Sequence, residues 1–137
     1  MLLNRDEPIG FSWGYPIPEE KTQSVNFPVI RAMLKERGVN PNEVFYGAET
    51  GIVAEYQRRG LGSIIVSARC LEAQKINYKF FANRTINPQM KAINNNIFSN
   101  SQPRELFEDP ETKSPWFMWQ FKNFNEEYAR RKLGELK

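Results

Sequence analysis

A chain of 137 residues, 40% hydrophobic and 13% aromatic, holds enough apolar material for one packed core, so a single domain is expected over residues 1–137. It has no histidine and one cysteine, Cys70, which excludes an intrachain disulfide, Ser-His-Asp and Cys-His nucleophiles, histidine-held metals and a cysteine zinc cluster. The net charge of +3, from 19 Lys and Arg against 16 Asp and Glu without a long basic stripe, argues against nucleic acid as a partner.

No apolar run approaches the length that a bilayer requires, and Met1-Leu2-Leu3 is followed at once by Asn4, Arg5, Asp6 and Glu7 rather than by a signal core, so a cytoplasmic protein with no membrane partner is expected. Ile9 to Tyr15 is rich in aromatic and β-favouring residues and is closed by Pro16 and Pro18, which predicts a strand. Asn26 before Phe27-Pro28 predicts a helix with proline in its first turn, ending near Arg37 at Gly38, with Val29, Ile30, Met33 and Leu34 as its core stripe. Asn40-Pro41-Asn42 is a turn. Val44 to Val53 reads as a central strand, and Gly47 and Gly51 within it mark a bulge or the close approach of another backbone or a ligand.

After Gly62, residues Ser63 to Gln74 predict an amphipathic helix carrying Ile64, Ile65, Ala68, Leu71 and Ala73. Tyr78 to Ala82 follows as a short strand, and Pro88 opens a helix holding Met90, Ile93 and Ile97 on one side. Ser99 to Ser114, with Pro103 and Pro110, reads as a loop, Trp116 to Phe124 as a last strand, and Asn125 as the cap of a terminal helix over 125–136. Glu126 and Glu127 in its first turn and Arg130, Arg131 and Lys132 later complement the helix dipole. The order implies an α/β (α+β) sheet packed by helices, with its core at about 9–124.

The chemistry is concentrated where a strand ends and a helix begins, across Gln57-Arg58-Arg59-Gly60-Leu61-Gly62-Ser63. The first amides of a helix have no internal partner, and with the dipole they form a site for a pyrophosphate. Gly60 and Gly62 permit close approach and unusual dihedrals, while Arg58 and Arg59 add positive charge. A tight turn that merely caps the helix is the other reading. The spacing forms neither GxGxxG nor a P-loop.

Ile52-Val53-Ala54-Glu55-Tyr56-Gln57-Arg58-Arg59-Gly60-Leu61-Gly62 resembles the central motif of the GNAT N-acetyltransferases, V-x-P-E-Y-R/Q-x-x-G-x-G/A, with Ile52 for the valine and Ala54 for the proline. Asn83 to Asn94 resembles that family's N-x-x-x-N-x-x-M-x-x-I-N segment, and Gly10-Phe11-Ser12-Trp13-Gly14 its glycine-containing third strand, so the likeness covers about Ile9 to Phe98. It implies a mixed, mostly antiparallel sheet flanked by helices and acetyl transfer from acetyl coenzyme A, without a metal, to a small-molecule or peptide amine. The pyrophosphate would sit on amides from Arg58 to Ser63, with Gln57 in the same loop. The pantetheine arm would pair with a splayed strand at Ile52 and Val53, opposite Asn83, Asn87 and Asn94. Asn87 before a proline reads equally as a helix cap.

For the reaction the resemblance implies an oxyanion donor at the Ile52 backbone and a base, for which Glu49 is the candidate, a surface carboxylate being its other reading. Asn94 stands where many members carry a tyrosine acid, leaving Tyr78 and Tyr46 as substitutes. The family's usual first strand and two helices have no counterpart in the eight residues before Ile9, an N-terminally shortened arrangement. A homodimer, a partner chain, or the helix from Pro28 to Arg37 would then complete the acceptor wall.

Overall fold

The computed structural model describes residues 2–4, 7–52, 57, 60–85, 87–99 and 103–135, with the backbone alone for residues 2–4, 7–9, 13, 49 and 51. Six strands, β1 (Leu2–Asn4), β2 (Glu7–Pro16), β3 (Val44–Ile52), β4 (Phe80–Arg84), β5 (Arg104–Glu108) and β6 (Pro115–Gln120), form one sheet in the order β1-β2-β3-β4-β6-β5. The β3–β4 pair is parallel and the other pairs are antiparallel. Among the described residues four α-helices accompany them: α1 (Phe27–Glu36), α2 (Leu61–Lys75), α3 (Pro88–Ile97) and α4 (Glu126–Gly134). None of the described helices is long and apolar enough to cross a membrane.

Alternation along the strands divides the core between the two faces of the sheet. Phe45, Phe81, Phe117 and Trp119 pack with Ile65, Val66 and Cys70 of α2 and with Ile97 and Phe98, while Tyr128 of α4 lies against this group. Val44, Tyr46, Ala82, Trp116 and Met118 pack on the other face with Phe27, Ile30 and Leu34 of α1. The cap predicted for α4 holds, with Asn125 Oδ1 accepting from Tyr128 N at 3.0 Å, and α1 is capped by Asn26, whose Oδ1 accepts from Val29 N at 3.5 Å.

Several expectations are corrected. Within 99–114 the chain forms β5, whose pairing with β6 slips by one residue between Glu105 and Phe107, so that Leu106 and Phe107 are both buried. The slip removes the alternation by which a strand is recognised. Leu2–Asn4 pairs with β2 but is too short to show a period. The strand expected from Tyr78 begins at Phe80, and the one expected to run to Phe124 ends at Gln120, giving way to a 3-10 turn over Phe121–Asn123. On α1, Val29 is exposed and Phe27 is buried instead. Helix α2 is not amphipathic: Ile64, Ile65, Val66 and Ser67 are buried in succession, because α2 lies between the sheet, α3 and α4.

On the α1 face Asp109, 2% exposed, joins three parts of the chain. Its Oδ2 accepts from Trp116 Nε1 at 3.0 Å and Arg84 Nη1 at 3.1 Å, and its Oδ1 from the amides of Glu111 and Thr112 at 3.0 and 3.1 Å. Arg84 also reaches Ser24 O at 3.0 Å, tying β4 to the segment before α1. Burial opposes ionisation of Asp109, but the bonds from Trp116, Thr112, Glu111 and Arg84 outweigh it and hold the carboxyl below its ordinary value. Its contribution is therefore complete above the unfolded carboxyl value of about 3.9 and disappears as pH falls through the lower folded value. Asp109→Asn is expected to lose about 2–4 kcal/mol in urea denaturation at neutral pH, with the gap from the native chain narrowing in acid; a gap that does not change with pH would exclude ionised Asp109 as its source.

Candidate functional site

The site originates in how β3 and β4 part. They pair only over Val44↔Phe80, Phe45↔Phe81 and Tyr46↔Ala82. Beyond that rung β3 stays with β2 as far as Ile52↔Gly10, and β4 with β6 as far as Arg84↔Trp116. The β2–β3 register shifts where Trp13 faces Glu49 and Gly14 faces Gly47, leaving Ala48 as the extra residue of a bulge. This changes the facing of all that follows: Phe45 and Ile52, an odd number of residues apart, both pack on the α2 face.

One side chain closes the vertex of the opening. Asn83 Nδ2 donates to Gly47 O at 2.7 Å, and Asn83 Oδ1 accepts from Nδ2 of the fully buried Asn94 on α3. A Cβ at position 47 would lie 2.7 Å from Asn83 Nδ2 and 2.8 Å from Phe81 Cζ, so glycine there is a condition of the bridge. Asn94 Oδ1 is buried without a hydrogen-bond partner among the described residues.

Past the vertex lies a cleft of about 550 Å³. Its walls are Thr50 and Ile52 of β3, Gln57 and Gly60 of the loop, Leu61, Gly62 and Ser63 at the start of α2, and Asn87, Gln89, Met90, Ala92 and Ile93 at and within α3. Gly60 is the N-cap of α2 at φ +77°, in the left-handed region, and no side chain caps the helix. The ladder starts with Ile64 N to Gly60 O at 3.4 Å, so the amides of Leu61, Gly62 and Ser63 precede the first helical bond.

The two glycines have different tasks. A Cβ on Gly60 would meet nothing within 4 Å, whereas one on Gly62 would meet Ile93 Cδ1 at 3.1 Å. Gly60 is required by its dihedral, and Gly62 by the approach of α3. Gln57 Nε2 donates to Ile52 O at 2.9 Å, clipping the loop to the strand end. Asn87 Oδ1 accepts from Gln89 N at 2.9 Å as the cap of α3, and the residue also lines the cleft.

The cleft thus gathers Ile52, Gln57, Gly60, Leu61, Gly62, Ser63 and Asn87. Asn83 and Asn94 stand behind it and are bonded to each other. Val53, Arg58 and Arg59 lie outside the described residues, as does the side chain of Glu49, whose backbone pairs with Trp13 just beyond the bulge. Tyr78 precedes β4 at the other end of the sheet, its ring 5.4 Å from that of Phe45. Thr50, where β3 enters the cleft, is five positions beyond Phe45 along the strand, so Tyr78 lies towards the end of β3 away from the cleft. Tyr46 is buried on the α1 face against Phe27 and Trp116. Neither tyrosine is among the residues that line the cleft, and the alternation and parallel pairing that place them could not be read from residue type.

Sequence reasoning missed Ser12, Thr50 and Arg69. They line an inner cavity of about 90 Å³, which shares Thr50 and Met90 with the cleft and is also bounded by Gly47, Asn83 and the Asp109-paired Arg84. Isolated hydroxyls and one arginine on a helix carry no sequence signal of a site. Among the described residues, neither space is lined by a carboxylate or a tyrosine.

No protein-family model and no curated protein sequence matches the chain. Solved structures do match it. One is an acetyltransferase with 14% identity and a TM-score of 0.56, over 87% of this chain and 66% of that one. Another is diaminobutyrate acetyltransferase EctA from Paenibacillus lautus, in complex with its substrate L-2,4-diaminobutyric acid and coenzyme A, with 13% identity and a TM-score of 0.55, over 90% of this chain and 69% of that one. The chain spans about two thirds of the length of these structures and shares their fold.

Asn83→Ala is expected to cost about 2–3 kcal/mol in chemical denaturation, because it removes the bond to Gly47 O and leaves the buried Asn94 amide without an acceptor. An unchanged denaturation midpoint would show that the bridge does not hold the vertex.

Proposed function

We propose, for a chain with the fold of the GNAT acetyltransferases, that the cleft binds acetyl coenzyme A and that the chain transfers the acetyl group to an amine. One observation carries this reading: the uncapped amides of α2 open on a cleft beside the part of β3 that has left β4. The amides of Leu61, Gly62 and Ser63 suit a diphosphate, and no described carboxylate in the lining repels it. Arg58 and Arg59 would add charge from the same loop. The edge of β3 at Ile52 and Val53 would pair with the amide groups of the pantetheine arm as a strand would. Asn87 would donate its amide N–H from the other wall, while Asn83 and Asn94 keep the wedge open.

In the reaction the amine nitrogen forms a bond to the acetyl carbon as the C–S bond breaks. A backbone N–H at Ile52 would stabilise the developing oxyanion, and Glu49 would take the ammonium proton, directly or through water. The leaving thiolate would take its proton from water, since no described tyrosine lines the cleft. That same absence favours a second reading, in which the chain holds coenzyme A without turnover.

Calorimetric titration with coenzyme A and acetyl coenzyme A tests the site, and thiol release over a panel of amines separates transferase from binder. No heat at millimolar ligand would remove both. Gly60→Asp sets a carboxylate beside the α2 amides at a left-handed position with room for it. It is expected to weaken coenzyme A binding at least about tenfold by lost dipole and amide interactions, at a conformational cost of about 1–2 kcal/mol. Equal affinity for the variant and the native chain would place the nucleotide elsewhere.

A further inference from the structure

Arg69, on α2, faces β2 at a point where charge is costly. Its guanidinium is half-buried, and its one bond among the described residues runs from Nη1 to Gly14 O at 3.4 Å. That is a long contact for a group with five donors. Among the described residues no carboxylate pairs with it: Glu72, three residues on, is 3.7 Å from Lys75. Burial lowers the Arg69 pKa, with the neighbouring Cys70 acting the other way, yet a guanidinium remains charged at any physiological pH. A half-buried cation with no counterion among the described residues is poised for an anion.

Its position indicates which anion. Arg69 and Ser12 line both the inner cavity of about 90 Å³ and an outer groove of about 310 Å³ that runs past Gly14, Glu72 and Ile76. The inner cavity in turn shares Thr50 and Met90 with the cleft. Cleft, cavity and groove therefore adjoin in that order, with the guanidinium between the last two. Ser12 Oγ and Thr50 Oγ1, 3.0 Å apart across β2 and β3, offer oxygen acceptors between Arg69 and the cleft.

Resting on the acetyl-transfer reading above, we propose that the acceptor is a small amino acid whose carboxylate pairs with Arg69 and whose amine lies in the inner cavity towards Thr50. The planar fork of the guanidinium matches a carboxylate with two parallel bonds, and the confined cavity excludes the N-terminus of a folded protein. The new bond is then an amide on the amine of an amino acid that keeps its carboxylate.

The test uses the full chain labelled with ¹⁵N. The Arg69 Nε–Hε resonance, assigned with Arg69→Lys and Arg69→Gln, is followed during titration with the twenty amino acids, β-alanine and γ-aminobutyrate, and with the amide of each. A shift with one or more acids and none with the matching amides supports the proposal; no shift with any acid, or equal shifts with the amides, overturns it, whether or not a variant folds. In steady-state acetylation Arg69→Gln is expected to raise KM for the acid about tenfold to a hundredfold, with KM for acetyl coenzyme A unchanged and partial recovery in Arg69→Lys. A KM for the acid that does not move overturns the assignment. A chain whose Arg69 responds to acids but which binds no coenzyme A retains the carboxylate site and loses the transferase reading, so the two failures are distinguishable.

Discussion

The parting of β3 and β4 after three parallel rungs is the constraint on which the rest of the structure turns. A parallel pair continues unless something prevents it, and here both strands keep an outer partner while losing each other. The bulge at Ala48 changes the facing of β3, and Asn83 takes the place of the next rung by donating to Gly47 O. Because Asn94 holds Asn83 from α3, the angle of the wedge is coupled to the seat of that helix. The device works only with glycine at 47, where any side chain would strike Asn83 and Phe81.

The second determinant is the seating of α2. A helix buried on most of its circumference is held by packing, so its N-terminus needs no cap to survive. Stability supplied elsewhere leaves the first amides open to the cleft. Gly60 turns the chain into the helix, Gly62 admits Ile93, and Gln57 pins the loop to the end of β3. These three features thus converge on a single concave surface.

The opposite face shows where that stability originates. Phe27, Tyr46 and Trp116 meet at ring separations of 5.2 to 5.5 Å, and Asp109 holds the Trp116 indole and the Arg84 guanidinium together in a buried setting. The Asp109 carboxylate of that ion pair accepts four bonds, while Arg84 also borders the inner cavity. Arg69 is the contrasting case, a cation on α2 with one weak acceptor.

Much of the local structure was legible in the residues. The caps Asn87 and Asn125, the prolines at the first turns and Gly60 at the entry to α2 act through their nearest neighbours, and such signals survive any packing. The Gly60 loop as a candidate site was legible for the same reason, since a left-handed entry to a helix is a property of a few consecutive residues. What tertiary structure alone decided depends on partners distant in the chain. The slip at Leu106 concealed β5, the burial of α2 on most sides abolished its expected polar face, and strand pairing carried Tyr78 and Tyr46 away from the cleft. The bridge from Asn94 through Asn83 to Gly47 and the exposure of Arg69 to two cavities arise from pairings between β3, β4, α2 and α3 that no local pattern encodes. Sequence determined most of the elements and the glycine-bearing entry to α2 because those rest on backbone preferences; the wedge, its lining and the place of Arg69 were decided by register and packing, which exist only once the sheet has formed.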